Sequence, residues 1–156
     1  MHAQPIQFEK REKISRLFES DRARFIRNFD EACAYHHRAK LFAQEGTRAS
    51  LIFNVASIAI ECYMIALCAH FKNMPSNHSF GNLVDDVKLL MDFPADLAGK
   101  ICGLDRIFGI CSLDNYFHGT PTEADADISL EICAALQRLI TDLSTANPLP
   151  MADDPL

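Results

Sequence analysis

The 156-residue sequence has no tryptophan, only three tyrosines, and few glycines and prolines, six and seven respectively. This scarcity of glycine and proline excludes a collagen-like or low-complexity chain. Hydrophobic residues form 49% of the sequence and charged residues 23%, so the chain can fill a core and is not disordered by composition. The length predicts one domain, and the net charge of −6 argues against a wholly basic nucleic-acid-binding protein.

The sequence also lacks the common signatures of catalysis and metal binding. It contains neither of the usual phosphate-binding glycine loops, no H-E-x-x-H, no G-x-S-x-G and no zinc-finger spacing of Cys and His. These absences make an enzyme less expected, and they identify no metal ligand and no cofactor-binding residue.

Secretion and membrane insertion are both disfavoured. The six cysteines form no C-x-x-C pair, and residues 1–30 are charged throughout, unlike a secretory signal. We therefore expect a cytoplasmic protein without disulfides. Residues 51–69 are long and apolar enough to cross a bilayer, but Asn54, Ser57 and Glu61 interrupt them. Because a glutamate near the middle of a span is costly, we expect a helix enclosed by other helices and no membrane contact.

Apolar residues recur at helical spacing through the chain, and no segment alternates like a strand. This pattern predicts an all-α, up-and-down bundle of five to six helices with a long central helix. The predicted helices cover residues 8–28, 30–45, 48–71, 79–92, 95–117 and 123–144. Residues 1–144 then form a single domain, and three prolines within residues 145–156 predict a flexible tail.

The predicted central helix carries a polar stripe. Ser50, Asn54, Ser57 and Glu61 follow one another at offsets of 4, 7 and 11 on an otherwise apolar helix. Polar groups inside a bundle need partners. The stripe is therefore either a buried network that fixes the register of the helices or the wall of a polar cleft.

The first two predicted helices carry basic residues and a histidine pair. Arg24 and Arg27 continue a row that begins with Lys13 and Arg16. The row could hold phosphates, or it could be a solvated face beside acidic residues. The adjacent His36 and His37 point about 100° apart on a helix, so we expect them at the surface or at an interface.

The order of these parts resembles the HEPN family (higher eukaryotes and prokaryotes nucleotide-binding domains), which are small helical bundles. The likeness covers residues 28–143. It rests on the helix order, on N-H-S-F-G-N-L-V at residues 77–84 and on D-N-Y-F-H-G-T-P-T at residues 114–122.

The resemblance implies a helical-bundle fold. Many members of the family are dimeric, metal-independent ribonucleases, and these are often toxins. The family motif is an Arg followed four to six residues later by a His, and His118 matches that His. The Arg is missing here, because position 113 is Leu, position 114 is Asp, and Arg106 is the nearest upstream base. An Arg at this place donates hydrogen bonds to the phosphate in the transition state, and losing such a donor lowers the catalytic rate by a factor of about 10²–10³. Asp114 would in addition repel the phosphate. We therefore expect a degenerate member without the usual nuclease activity.

Two functions of different classes remain. The first is a non-catalytic module, expected to be a homodimer, that binds a protein partner or a nucleotide-like ligand in a polar cleft. The cleft would be lined by Asn54, Ser57, Glu61, His78, Asp114, Asn115 and Tyr116. The second is a ribonuclease that uses His118 with a cation from Arg24, Arg27 or Arg106. The family often pairs with a nucleotidyltransferase, which makes that protein a candidate partner, and RNA is a candidate ligand.

Overall fold

A computed structural model describes residues 19–107 and 120–149 of the chain. Within these residues there are five α-helices and no strand, which confirms the predicted all-α bundle. The helices are α1 (Asp21–Gln44), α2 (Ala49–His70), α3 (Phe80–Leu90), α4 (Ala95–Leu104) and α5 (Glu123–Ala146).

The core gathers around α2, against which α1, α3 and α5 all pack. Its large side chains Phe53, Tyr63 and Leu67 are wholly buried. Ring contacts of Phe29 with Tyr63, and of Phe25 with His70, show that α1 and α2 lie antiparallel. Of the described residues, only α2 forms a helix long and apolar enough to cross a membrane, and 67% of its apolar window is buried inside the fold. That burial is typical of the core helix of a soluble bundle.

The helix boundary predicted near residue 29 is wrong. Helix α1 runs without interruption from Asp21 to Gln44, a stretch that contains neither Gly nor Pro. Asp30, the first residue of the second predicted helix, is an exposed residue in mid-helix. The cap is Ser20, whose Oγ accepts a hydrogen bond from the Ala23 N–H at 3.1 Å. Gly46, at a φ of +70°, ends the segment as expected.

The remaining helices begin and end where local chemistry dictates. The Asp105 carboxylate accepts hydrogen bonds from the N–H groups of Phe80 (3.1 Å) and Gly81 (2.8 Å), and so joins the end of α4 to the start of α3. Thr122 and Asp125 form a reciprocal capping box at the start of α5. Helix α4 ends at Leu104, so the fifth helix predicted over residues 95–117 is wrong at residues 105–107, and residues 108–119 lie outside the described residues.

The end of the described chain is attached to α1. Helix α5 extends two residues beyond its predicted end at residue 144. Beyond it, the Leu149 carbonyl accepts a hydrogen bond from Arg22 Nη1 at 3.1 Å. Residues 150–156 of the predicted tail lie outside the described residues.

Candidate functional site

The polar stripe of α2 divides between the core and the surface. Ser57 is 3% exposed, and its Oγ has no hydrogen-bond partner among the described residues. Asn54 and Glu61 are half-buried at the edge of the helix. The stripe is therefore not one continuous polar wall.

One pair of predicted binding residues does come together. His78, in the loop before α3, lies with its Nδ1 3.0 Å from Glu61 Oε1. Both side chains are partly exposed, at 45% and 35% respectively. The pair therefore forms a polar rim that a partner or ligand can reach.

Beside this rim, α2 carries an apolar strip that is only partly covered: Val55, Cys62 and Ile65 are partly buried against the core, and Leu51 and Ile58 are exposed. The strip, called here the α2 open stripe, consists of five residues at helical spacing, none of them fully buried: Leu51, Val55, Ile58, Cys62 and Ile65. Ile58, at its centre, is 37% exposed. Asn54 and Glu61 lie along one edge, as their positions on the helical wheel require. The sequence analysis missed this stripe because α2 is apolar on nearly every side.

The two arginines of the predicted basic row are bound to carboxylates. Arg24 is 7% exposed, and its Nη2 contacts Asp21 Oδ1 at 2.5 Å and the Asn73 carbonyl at 3.3 Å. Arg27 forms a two-pronged bond with Glu19, at 2.8 and 2.9 Å, which raises the pKa of its guanidinium further. Arg24 is buried, which argues against an exposed phosphate-binding row. Its guanidinium instead holds α1 to the loop after α2. Lys13 and Arg16 lie outside the described residues.

Among the residues proposed for catalysis, His118 falls outside the described part of the chain and Arg106 within it. Arg106 is exposed just beyond α4. His118 lies outside the described residues, as do Asp114, Asn115 and Tyr116.

A buried polar cluster that the sequence analysis did not predict joins α1, α2 and α5. His36 Nδ1 lies 3.0 Å from Tyr63 Oη, and Cys33 Sγ lies 3.7 Å from the same oxygen. Gln137 of α5 donates an N–H to Cys33 Sγ at 3.5 Å. His36 is 3% exposed, so its predicted surface position is wrong, whereas the adjacent His37 is exposed.

This cluster is structural in its chemistry. Burial lowers the pKa of His36, and the positive charge of nearby Lys40 lowers it further. The Tyr63 hydroxyl donates its single proton to Cys33 Sγ, so its oxygen can accept an N–H from Nδ1 of the neutral His36 imidazole. The buried face of α1 includes Ala32, His36 and Ala39, and that spacing could have revealed the inward position of His36.

Burial raises the pKa of most of the described thiols, and no metal site is present among the described residues. Burial raises the pKa of Cys62 and Cys133 to about 12 and that of Cys68 to about 11. Five free cysteines are found in the described ranges. Residues 19–107 and 120–149 contain no group of three or more His, Cys, Asp or Glu side chains placed to hold a metal ion.

No protein-family model, curated protein or solved structure matches this chain. The resemblance to the HEPN family thus rests on the sequence features given above, and it stays a prediction.

Proposed function

We propose that this protein is a non-catalytic, HEPN-like binding module that acts as a homodimer through the α2 open stripe. The observation that carries the proposal is the exposed Ile58 at the middle of a core helix. An apolar strip on the most hydrophobic helix of a soluble fold is what an interface requires.

The stripe is self-complementary about Ile58. An antiparallel pair of α2 helices related by a two-fold axis through Ile58 would place Leu51 of one copy against Ile65 of the other, since each lies seven residues from the centre. The same axis brings Asn54 of one copy toward Glu61 of the other. The Asn54 amide can donate a hydrogen bond to the Glu61 carboxylate. The rim thus matches itself in polarity.

The rim also suggests what a nucleotide-like ligand would contact. Asn54, Glu61 and His78 offer an amide, a carboxylate and an imidazole on one side of the stripe. A carboxylate repels phosphate but accepts hydrogen bonds from a base or from ribose hydroxyls. The proposal therefore favours recognition of the nucleoside part. A protein partner, such as a nucleotidyltransferase in a toxin–antitoxin pair, is the other candidate, and the free thiols suit a cytoplasmic location.

The ribonuclease alternative has less support. It needs a cation beside His118, and two of its three candidates, Arg24 and Arg27, are bound to Asp21 and Glu19. Removing either arginine from its carboxylate to reach RNA would break those contacts. Arg106 remains as the exposed candidate.

The dimer is tested by light scattering after gel filtration, with Ile58→Glu as the perturbation. We expect the wild-type chain at twice its 17.5 kDa mass and the variant at the monomer mass, because two glutamates would face each other at the axis. Leu89→Glu is the matched control, since Leu89 is 87% exposed on α3 and outside the stripe. A wild-type monomer, or a dimer in both variants, would refute the interface.

The non-catalytic part is tested with purified protein and RNA in excess EDTA. We expect no cleavage by the wild type or by His118→Ala. Cleavage by the wild type that disappears in His118→Ala would overturn the proposal and establish the ribonuclease alternative.

A further inference from the structure

An open groove lies between helices α4 and α5, and the proposed function does not use it. Its cavity volume is about 280 Å³. Four apolar side chains form its floor: Leu97, Ile132, Ala135 and Leu139. Pockets for drug-sized ligands hold about 300–1,000 Å³, so this groove suits a smaller molecule with an apolar body.

The charges at the rim of the groove are unequally engaged. Lys100 Nζ lies 3.8 Å from Glu131 Oε2, so these two charges offset each other. Asp96 is in the first turn of α4, where the helix dipole stabilises its carboxylate. Arg138 is exposed on α5 and forms no ion pair with any described carboxylate. Of the two rim cations, Lys100 and Arg138, the Arg138 guanidinium is therefore the one that lacks a counter-ion among the described residues.

We propose that the α4–α5 groove binds a small amphipathic carboxylate. The apolar body lies on Leu97, Ala135 and Leu139, and the carboxylate accepts two N–H bonds from the planar fork of Arg138. A cationic ligand is less suited, because Lys100 already offsets the charge of Glu131 and the helix dipole at the start of α4 already stabilises the Asp96 carboxylate. This groove shares no residue with the α2 open stripe, so the two proposals stand or fall separately.

Hexanoate is the probe, followed in the full chain by two-dimensional ¹H–¹⁵N NMR. We expect saturable shifts of the Leu97, Ala135 and Leu139 amides with a Kd on the order of 1 mM, as a ligand of this size allows. Hexanamide and hexylamine have the same tail without the negative charge, and both should bind at least about tenfold more weakly.

Arg138→Gln tests the assigned cation. We expect this exposed substitution to leave the far-UV circular dichroism unchanged and to weaken hexanoate binding about tenfold or more. Arg38→Gln, on the exposed side of α1, is the matched control and should leave binding unchanged. The inference is overturned if hexanoate gives no saturable shifts at tens of millimolar, if hexylamine binds as well as hexanoate, or if Arg138→Gln binds as the wild type does.

Discussion

Replacement of Tyr63 by Phe isolates the contribution of one buried hydroxyl to the bundle. Tyr63 is wholly buried, and its Oη lies 3.0 Å from His36 Nδ1. Tyr63→Phe keeps the ring, which contacts Phe29 edge-on with ring centroids 5.9 Å apart. Only the hydroxyl and its hydrogen bonds are lost, so the change in stability reports on the polar cluster rather than on the volume of the core.

The magnitude follows from two effects of the same sign. A typical buried hydrogen bond contributes about 0.5–1.5 kcal/mol to the free energy of unfolding. A buried polar group left without a partner, here His36 Nδ1, costs about 1–3 kcal/mol. Both figures include the loss of the same hydrogen bond and so are not added. We expect Tyr63→Phe to lower the free energy of unfolding by about 1–3 kcal/mol in total. For a chain of this length, each kcal/mol lowers Tm by about 2–4 °C.

The assay is urea unfolding followed by far-UV circular dichroism at one protein concentration, because a dimer's apparent stability depends on concentration. Tyr35→Phe is the control, since Tyr35 is 37% exposed on α1, and it should change the free energy by less than about 0.5 kcal/mol. In a His36→Leu background the cost of Tyr63→Phe should shrink, since the buried imidazole nitrogen that would lose its partner is gone. Equal, small effects of Tyr63→Phe and Tyr35→Phe would refute the stabilising role of the cluster.

Two further perturbations test the electrostatics of the fold. Burial lowers the pKa of His36 and of His70 below the ordinary value of 6.5, so their neutral forms stabilise the fold fully above pH 6.5. That stability is lost as the pH falls below 6.5 through the lowered pKa values. The urea midpoint of unfolding should therefore drop between pH 7.5 and about 5.5. A midpoint that stays flat or rises over this range would contradict the predicted direction. Asp105→Ala removes the acceptor of two N–H groups at the start of α3 and should cost about 1–2 kcal/mol of unfolding free energy, whereas Asp142→Ala, on the exposed face of α5, should cost almost nothing.

The fold could be predicted where local signals agree with packing. Gly46 and Pro94 separate helices in the sequence and in the structure. Thr122 and Asp125 mark the start of α5 because the capping box is a local arrangement within four residues. Such features depend on near neighbours along the chain, and they need no knowledge of the rest of the fold.

The prediction failed where local chemistry allowed two outcomes. Asp30 resembles a helix cap, yet α1 continues through it, since Phe29 and Ala32 on either side both face α2. An aspartate in an exposed mid-helix position costs well under about 1 kcal/mol in helix propensity. Burying the apolar side chains on both sides contributes more than that, so tertiary packing decides the boundary.

The same reasoning explains why the sequence left two alternatives open for the arginines. A row of basic residues at helical spacing specifies a face, but it does not say whether that face is covered. Arg24 is covered because the loop after α2 brings the Asn73 carbonyl to its guanidinium. Asp21, one turn away, then offsets the buried charge, which would otherwise be costly. The Asn73 carbonyl is not visible as a partner until α1 and α2 are placed side by side, whereas Asp21 lies in the same helix as Arg24.

The α2 open stripe shows the opposite limit. A helix that is apolar all round predicts burial, but it cannot say which of its sides the neighbouring helices leave open. The polar residues offered a clue, because Asn54 and Glu61 need water or a partner and so lie next to an uncovered side, whereas the small Ser57 hydroxyl lies in the core. Ile58 lies on the uncovered side, between Asn54 and Glu61 along the chain. A glutamate at position 58 should therefore leave the fold of each chain intact and act on whatever covers the stripe.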